Sequence, residues 1–432
     1  MTFDSLHLKP EIIQAVTELG FSVPTPVQQQ VYTIVNKQVQ TDLVALSQTG
    51  TGKTAAFGLP LLNTIQTSDR GIQAVILAPT RELCVQIQTE LEKYAKYING
   101  LSIVPVYGGA SIQTQIRQLK SQVHIVTATP GRLRDLLDRR AIHLDHVKFL
   151  VLDEADEMLN MGFVDDIEKI LQTAPKNRRT VLFSATMPSH IERLAKNYMH
   201  DYHIISVATE QMTKANIQQI YFEVSQADKF EALFRIIDVE ESFYGMIFWR
   251  TKVDADEIAH KLFNRGCRAE ALHGDLSQGQ REKVLQKFRG KQITVLVATD
   301  VAARGLDIAD MPCVINHELP FNAEDYVHRI GRTGRAGAQG DAIALVDSSE
   351  ERLLADIEKL MSRKLTRMPV PDPAGGPAAD PFFYMPYQAQ TSQDKERLAA
   401  QAVAMNETKP KSSGIKSAPK PVGALLGGFK KK

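Results

Sequence analysis

The sequence has few cysteines, a single tryptophan and almost no net charge over its 432 residues. Its three cysteines, Cys84, Cys267 and Cys313, are scattered, odd in number and without metal-ligand spacing. That argues against a disulfide framework or a thiolate metal centre and predicts buried or partly buried thiols. Lysine and arginine number 51 against 50 aspartates and glutamates, a formal charge of +1. Bulk charge therefore gives no hint of a polyanionic partner, and any such site must be local. No apolar run reaches membrane length, and Met1-Thr2-Phe3-Asp4-Ser5 lacks the basic-then-apolar layout of a secretory signal, so a soluble, cytoplasmic chain is expected. What is present, 43% hydrophobic and 23% charged residues, fits ordinary globular folding. The length exceeds what one core serves, which predicts two domains and something extra.

The most informative stretch is Ser47-Gln48-Thr49-Gly50-Thr51-Gly52-Lys53-Thr54, between the apolar run Leu43 to Leu46 and Ala55-Ala56-Phe57. A strand, a small-residue turn and a helix start form a phosphate cradle: backbone N–H groups converge where Gly50 and Gly52 carry no side chain. Lys53 reaches β- and γ-phosphates from there, and Thr54 suits a Mg²⁺ ion. Ser47 departs from the strict pattern, which has glycine at that place. Upstream, residues Pro10 to Gly20 read as a helix ended by glycine, followed by Phe21 and a two-proline turn leading to Gln28. An amide there suits an adenine edge, although Gln28 reads equally as a helix-start residue.

After the loop, apolar runs alternate with amphipathic stretches: residues 74 to 78, 103 to 107, 123 to 127, 149 to 152 and 180 to 184. Strands separated by helices mean a doubly wound parallel sheet, with ligands beyond the carboxyl ends of its strands. Residues 207 to 217 are polar, and a second series follows at 246 to 249, 269 to 272, 293 to 298, 313 to 316 and 342 to 346, without a second phosphate loop. The expected organisation is α/β: a first domain over 1–207, a linker over 208–217, a second domain over 218–368 and a tail over 369–432. Prolines 371, 373, 377, 381 and 386 predict a disordered tail, with one short helix possible over 392–405. Its last stretch carries seven lysines and no acids, a basic arm.

Asp153-Glu154 ends an apolar run in the first series. One carboxylate there could hold Mg²⁺ and its neighbour deprotonate a water, as phosphoanhydride hydrolysis needs; alone, such a pair reads as well as solvated acids. In the second series, His328-Arg329-Ile330-Gly331-Arg332-Thr333-Gly334-Arg335 opens as a helix and ends in a loop, with Arg332 and Arg335 expected on one face. Forked, permanently charged arginines neutralise charge developing on a transferred phosphoryl group, or else form a solvated basic helix end.

Together these motifs, in order and spacing over roughly residues 3 to 365, resemble the DEAD-box ATP-dependent RNA helicases, most closely their RhlE-type branch. The resemblance implies two tandem RecA-like domains using ATP and Mg²⁺. Phe21 would stack on adenine, braced by Phe3, and Gln28 would read its edge. Thr49, Gly50, Thr51, Gly52, Lys53 and Thr54 would hold the triphosphate, with Thr54 and Asp153 at the metal and Glu154 activating water. Gly305 and Asp307 would face the nucleotide, and His328, Arg332 and Arg335 its phosphates. RNA would lie against Thr80, Arg81, Gly109, Thr129, Gly131 and Arg132 in the first domain and Thr251, Lys252 and Thr299 in the second. Asp156, Ser184, Thr186, Gln278, Arg281 and Arg304 would couple hydrolysis to closure. The family allows serine at position 47. Cys84, and Trp249-Arg250, depart from its usual residues; Trp249 is expected to be partly buried, with stacking on RNA left open.

The activity implied is an RNA-stimulated ATPase that clamps single-stranded RNA between two domains and opens short duplexes, in ribosome assembly or RNA turnover. An ATP-gated clamp or scaffold without productive unwinding is the alternative, and a DNA translocase a further rival. The partners implied are single-stranded and short duplex RNA, with ribosomal or RNA-decay proteins through the tail and no membrane.

Overall fold

Short runs of apolar residues, buried on both faces, can only be strands of a covered parallel sheet, and two such sheets account for nearly all of them. The computed structural model describes residues 2–37, 41–47, 51–206, 217–239, 242–303, 311–334 and 339–368. In the first sheet the strands are β1 (Leu43–Leu46), β2 (Ala74–Leu77), β3 (Ile103–Val106), β4 (Ile125–Ala128), β5 (Phe149–Leu152), β6 (Arg179–Ser184) and β7 (His203–Ser206), in the order β3-β4-β2-β5-β6-β1-β7. In the second they are β8 (Ile217–Glu223), β9 (Gly245–Trp249), β10 (Ala269–Leu272), β11 (Val295–Thr299), β12 (Cys313–Asn316), β13 (Gly340–Val346) and β14 (Thr366–Met368), in the order β10-β11-β9-β12-β13-β8-β14. Every pairing between these strands is parallel.

Period-two alternation gives each sheet a core on either face. Ala74, Ile76, Phe149, Val151, Val181 and Phe183 point into one cluster of the first sheet, and Val75, Leu77, Leu150, Leu152 and Leu182 into the other. In the second, Ile247, Trp249, Val295, Val297 and Ile315 face one way and Met246, Phe248, Leu296, Ala298 and Val314 the other. Helices between strands cover both faces, as right-handed parallel crossovers require.

The expected strands recur within one or two residues, with differences at the edges. The run 123–127 pairs as Ile125–Ala128 and the run 293–298 as Val295–Thr299. Ile217, expected to close the linker, is the first residue of β8 and is buried. Pro10–Glu18 is helical, and Gly20 follows it with φ of 79°, the left-handed geometry that glycine supplies without strain. Linker positions 208–216 and the tail 369–432, with its suggested helix over 392–405, lie outside the described residues. Among the described residues no helix is long and apolar enough to cross a membrane.

All three thiols are free, Cys84 and Cys313 buried and Cys267 half-buried. Burial pushes the Cys84 thiol above its ordinary pKa, so it stays protonated. Trp249 is more enclosed than expected: it is 6% exposed and stacks on His317 at 3.6 Å and 23°. As the last residue of β9 it points inward by the same alternation as Ile247.

Candidate active site

The described end of the phosphate loop, Thr51-Gly52, is held from outside by the two-proline turn. The helix Pro26–Lys37 places Gln28 on its first turn, where Gln28 Oε1 accepts the Thr25 N–H at 2.9 Å and Nε2 donates to the Gly52 carbonyl at 3.2 Å. Thr25 Oγ1 donates to the Thr51 carbonyl at 2.9 Å. Gly52 has φ of 86°, and a Cβ there would lie 2.6 Å from Gln28 Nε2, so only glycine fits. Gln28 thus starts a helix and braces the loop at once. Phe21 packs between Phe3 and Tyr94, each ring 5.9 Å away.

Lys53 opens the helix Lys53–Thr64 directly after this turn, with Thr54 behind it. Its ammonium is buried and lies 3.6 Å from Asp153 Oδ1. Burial opposes the charge, but Asp153, with Glu154 and Asp156 beyond it, outweighs burial and raises the Lys53 pKa. Lys53 therefore keeps its charge despite its burial.

The acidic quartet bends sharply. Asp153 follows β5, its Oδ1 accepting the Glu154 N–H at 3.0 Å, and Glu154 takes φ of 52° to start the short helix Ala155–Asn160. A non-glycine residue held in the left-handed region is uncommon, and here the bend turns the glutamate out of the strand direction. Asp156, buried, receives the N–H groups of Ala185 at 2.9 Å and Thr186 at 3.3 Å on Oδ2, while Oδ1 accepts from Glu157 N at 3.1 Å. Ser184 Oγ donates to the Thr186 carbonyl at 2.6 Å, and its own carbonyl accepts the Ser47 N–H at 2.9 Å. One chain of hydrogen bonds therefore links the phosphate loop, the Ser-Ala-Thr turn and the acidic turn.

The second sheet closes this site. A cleft is lined by Lys53, Glu154, Asp156, Glu157 and Ala185 from the first sheet and by His328 and Arg332 from the second. His328 lies on the helix Ala323–Ile330; its Nδ1 pairs with Glu157 Oε1 across the cleft. Burial works against the imidazolium, but the hydrogen bond and charge of Glu157, with Asp156 and Glu154, outweigh it and raise the His328 pKa. That helix ends at Ile330, so Arg332 leaves from a turn rather than a helix face. Its side chain is buried in the same cleft. Thr49, Gly50, Arg304, Gly305, Asp307 and Arg335 lie outside the described residues.

The residues expected to meet RNA gather at strand ends and helix starts. Thr80 caps the helix Arg81–Tyr94, its Oγ1 accepting the Leu83 N–H at 3.2 Å. Thr251 caps the helix Lys252–Asn264 through Asp254 N, also at 3.2 Å. Gly109 has φ of 76°, Thr129 and Gly131 begin the helix Pro130–Asp138, and Thr299 ends β11. All three cations of this set are engaged within the protein. Arg81 pairs with Glu282 at 2.8 Å over the Tyr107 ring, Arg132 donates to Gln115 Oε1 at 2.8 Å and to the Ala110 carbonyl, and Lys252 pairs with Asp275 at 2.7 Å. Gln278 Nε2 donates to Glu82 Oε1 at 3.2 Å and Arg281 lies 3.5 Å from it, so Gln278 and Arg281 form a second bridge between the sheets.

The sequence reading did not single out Glu157, Asp325, Glu282 or Gln115. Glu157 stood beside the quartet, and an acid one step further along the same helical turn was the available signal. The others become visible only when segments far apart in sequence meet.

Residues 25–194 match the family model of the DEAD/DEAH box helicases, and residues 228–337 the helicase conserved C-terminal domain. The chain is 47% identical over 370 residues to the DEAD-box ATP-dependent RNA helicase CshA of Bacillus cereus, covering 86% of this chain and 70% of that protein. Among solved structures it is similar to S. cerevisiae Dbp5 bound to RNA and ADP BeF3, at 32% identity and a TM-score of 0.76, covering 85% of this chain and 95% of that one. The helicase Mss116 bound to single-stranded RNA and UDP-BeF matches at 29% identity and the same TM-score, over 85% of this chain and 80% of that one.

Proposed function

The chain belongs to the DEAD-box ATP-dependent RNA helicases, and from that premise we propose which residues carry the parts of an RNA-stimulated ATP hydrolysis that grips single-stranded RNA and opens short duplexes. The observation that carries the reading is the two-sided cleft, with Lys53, Glu154 and Asp156 facing Arg332 from the other sheet. The likeness to Dbp5 bound to RNA and ADP BeF3 extends over 85% of this chain, through both sheets, and supports a nucleotide held between them.

Adenine stacks on Phe21 and is read by Gln28. Lys53 neutralises the β- and γ-phosphates. Asp153, a buried carboxylate at the end of β5 beside Lys53, and the Thr54 hydroxyl on the first turn of the neighbouring helix are hard oxygen donors that fit a Mg²⁺ ion, which when bound would screen phosphate charge. Glu154 takes the proton from the water that attacks the γ-phosphorus as the bond to the leaving ADP oxygen breaks. Arg332, with Arg335, neutralises the charge that develops, and because they come from the second sheet, hydrolysis requires closure. Asp156, through Ala185 and Thr186, passes the state of the phosphates to the loop after β6. RNA contacts from Thr80, Arg81, Gly109, Thr129, Gly131, Arg132, Thr251, Lys252 and Thr299 go to phosphates and carry no base information.

Domain limits of 1–207 and 218–368, with Ile217 moved into the second, are part of the same proposal, supported by one seven-stranded sheet in each. The RhlE-type branch is a finer reading, and the relative matched above is named CshA. A cytoplasmic place, a role in ribosome assembly or RNA turnover, and docking of RNA-decay or ribosomal proteins by the tail remain proposals of the same kind. A strand-displacement assay on a short RNA duplex tests the core reading: ATP-dependent release of one strand is expected. Tight ATP-dependent RNA binding without release would favour the scaffold alternative.

A further inference from the structure

Family membership accounts for His328 as a residue of the ATP cleft, but it does not account for Glu157. This glutamate is 2% exposed, follows the acidic quartet, and meets His328 Nδ1 from the opposite sheet. Asp325, one turn earlier on the helix of His328, brings a second carboxylate to the same place, one carboxylate oxygen of each acid and an imidazole nitrogen of His328 lying within 4.8 Å of one another. We propose that Glu157 is a positioning residue for hydrolysis: it clasps the His328 imidazolium across the cleft, and so sets the register in which Arg332 faces Lys53 and Glu154.

The charges around the imidazole make the clasp specific. From the first sheet it faces Glu157, Asp156 and Glu154, with Lys53 in the same cleft; from its own helix and the turn beyond it has Asp325 and Arg332. Arg329, the neighbouring cation, is turned away and paired with Asp300 at 2.6 Å. An enclosed carboxylate meeting a neutral imidazole could form only a weak bond, whereas an imidazolium gives a charge-assisted one. The clasp also joins elements that move apart when the sheets separate. Breaking it costs the closed state far more than the open one, in which both groups regain water.

The proton on His328 is therefore part of the closed state. Its pKa is raised, so the sign is fixed: the clasp is fully present below the ordinary histidine value and is lost as pH rises through the raised value. The inference rests on the hydrolysis reading above, and its test separates the two.

RNA-stimulated ATPase of the full chain is measured at saturating RNA between pH 6 and 10, for the native protein and for Glu157→Gln, Glu157→Asp, His328→Asn and the Glu157→Gln/His328→Asn pair. Loss of one charged hydrogen bond in the closed state lowers kcat by roughly ten- to a hundredfold. Glu157→Gln should do this and flatten the alkaline limb, Glu157→Asp should recover much of both, and the double variant should be no worse than either single one. An unchanged alkaline limb in Glu157→Gln, or additive losses in the double variant, would overturn the clasp while leaving the hydrolysis reading intact. Absence of RNA-stimulated ATPase in the native protein would instead overturn the hydrolysis reading. Should Glu157→Gln fail to fold, His328→Asn, at the less buried end of the pair, carries the same test.

Discussion

Gln28 Nε2 donates to the carbonyl of Gly52 at 3.2 Å, so the residue assigned to adenine also touches the turn assigned to phosphate. Base recognition and phosphate binding are mechanically joined by one amide. The prediction is that Gln28→Ala lowers the preference for ATP over GTP by roughly five- to a hundredfold, the worth of about 1–3 kcal/mol for a lost buried hydrogen bond. Competition of GTP against ATP in steady-state turnover measures it, and a native protein that turns over both equally would remove the adenine assignment.

Glu154 and Lys53 are expected to fail differently. Glu154→Gln should abolish turnover yet keep ATP-dependent RNA binding, because the amide cannot take the proton but preserves the bend after β5. Lys53→Ala should lose both, leaving Asp153 without its partner at 3.6 Å. Filter binding beside phosphate release distinguishes the two, and near-native hydrolysis by Glu154→Gln would refute the base.

Arg81 has a competitor within the protein. Its pairing with Glu282 must yield before an RNA phosphate takes its place, and Glu282 is 58% exposed at the side chain. An exposed pair contributes at most about 1 kcal/mol, so Glu282→Gln is predicted to tighten RNA binding by up to about fivefold, most at low salt. Weaker RNA binding by this variant would mean that Glu282 orients Arg81 rather than occupying it.

Stability of the second sheet should depend on acid through Lys229. This buried lysine lies 2.5 Å from Glu350 and 2.8 Å from Asp347. Burial would raise the Asp347 pKa, but the hydrogen bonds from Lys229 and Ser349 outweigh it and depress it to about 2. A depressed carboxylate contributes stability above its unfolded value, and that contribution is lost as pH falls towards 2. Lys229→Ala is predicted to cost about 3–5 kcal/mol and to flatten this acid limb, read by denaturant melts at pH 7 and pH 3. Equal loss of stability on acidification in both proteins would contradict it.

The centre of each sheet was legible because buried parallel strands are written as continuous apolar runs, which is why residues 149 to 152 and 313 to 316 coincide with β5 and β12. The strands on the β7 side of the first sheet and the β14 side of the second were not. β7 is mostly exposed, β14 has only three residues, and β8 begins at Ile217 after a polar stretch that masks its start. In the site, motifs compressed into one turn were readable, such as Gly52-Lys53-Thr54 and the acidic quartet. The partners that occupy Arg81, Arg132 and His328 were not, because no local spacing records that Glu282, Gln115 and Glu157 come to meet them.

Trp249, the only tryptophan, stacks on a His317 whose imidazole is driven by burial, and further by the nearby Lys229 charge, to a pKa of about 3. Its neighbour is therefore uncharged in the neutral range, so no change of charge on His317 perturbs the indole there. The chain carries a built-in optical reporter for one half of the molecule: tryptophan fluorescence follows the melting of the second core while the first remains dark at that wavelength. Unfolding of the two halves can thus be separated in a single unlabelled sample.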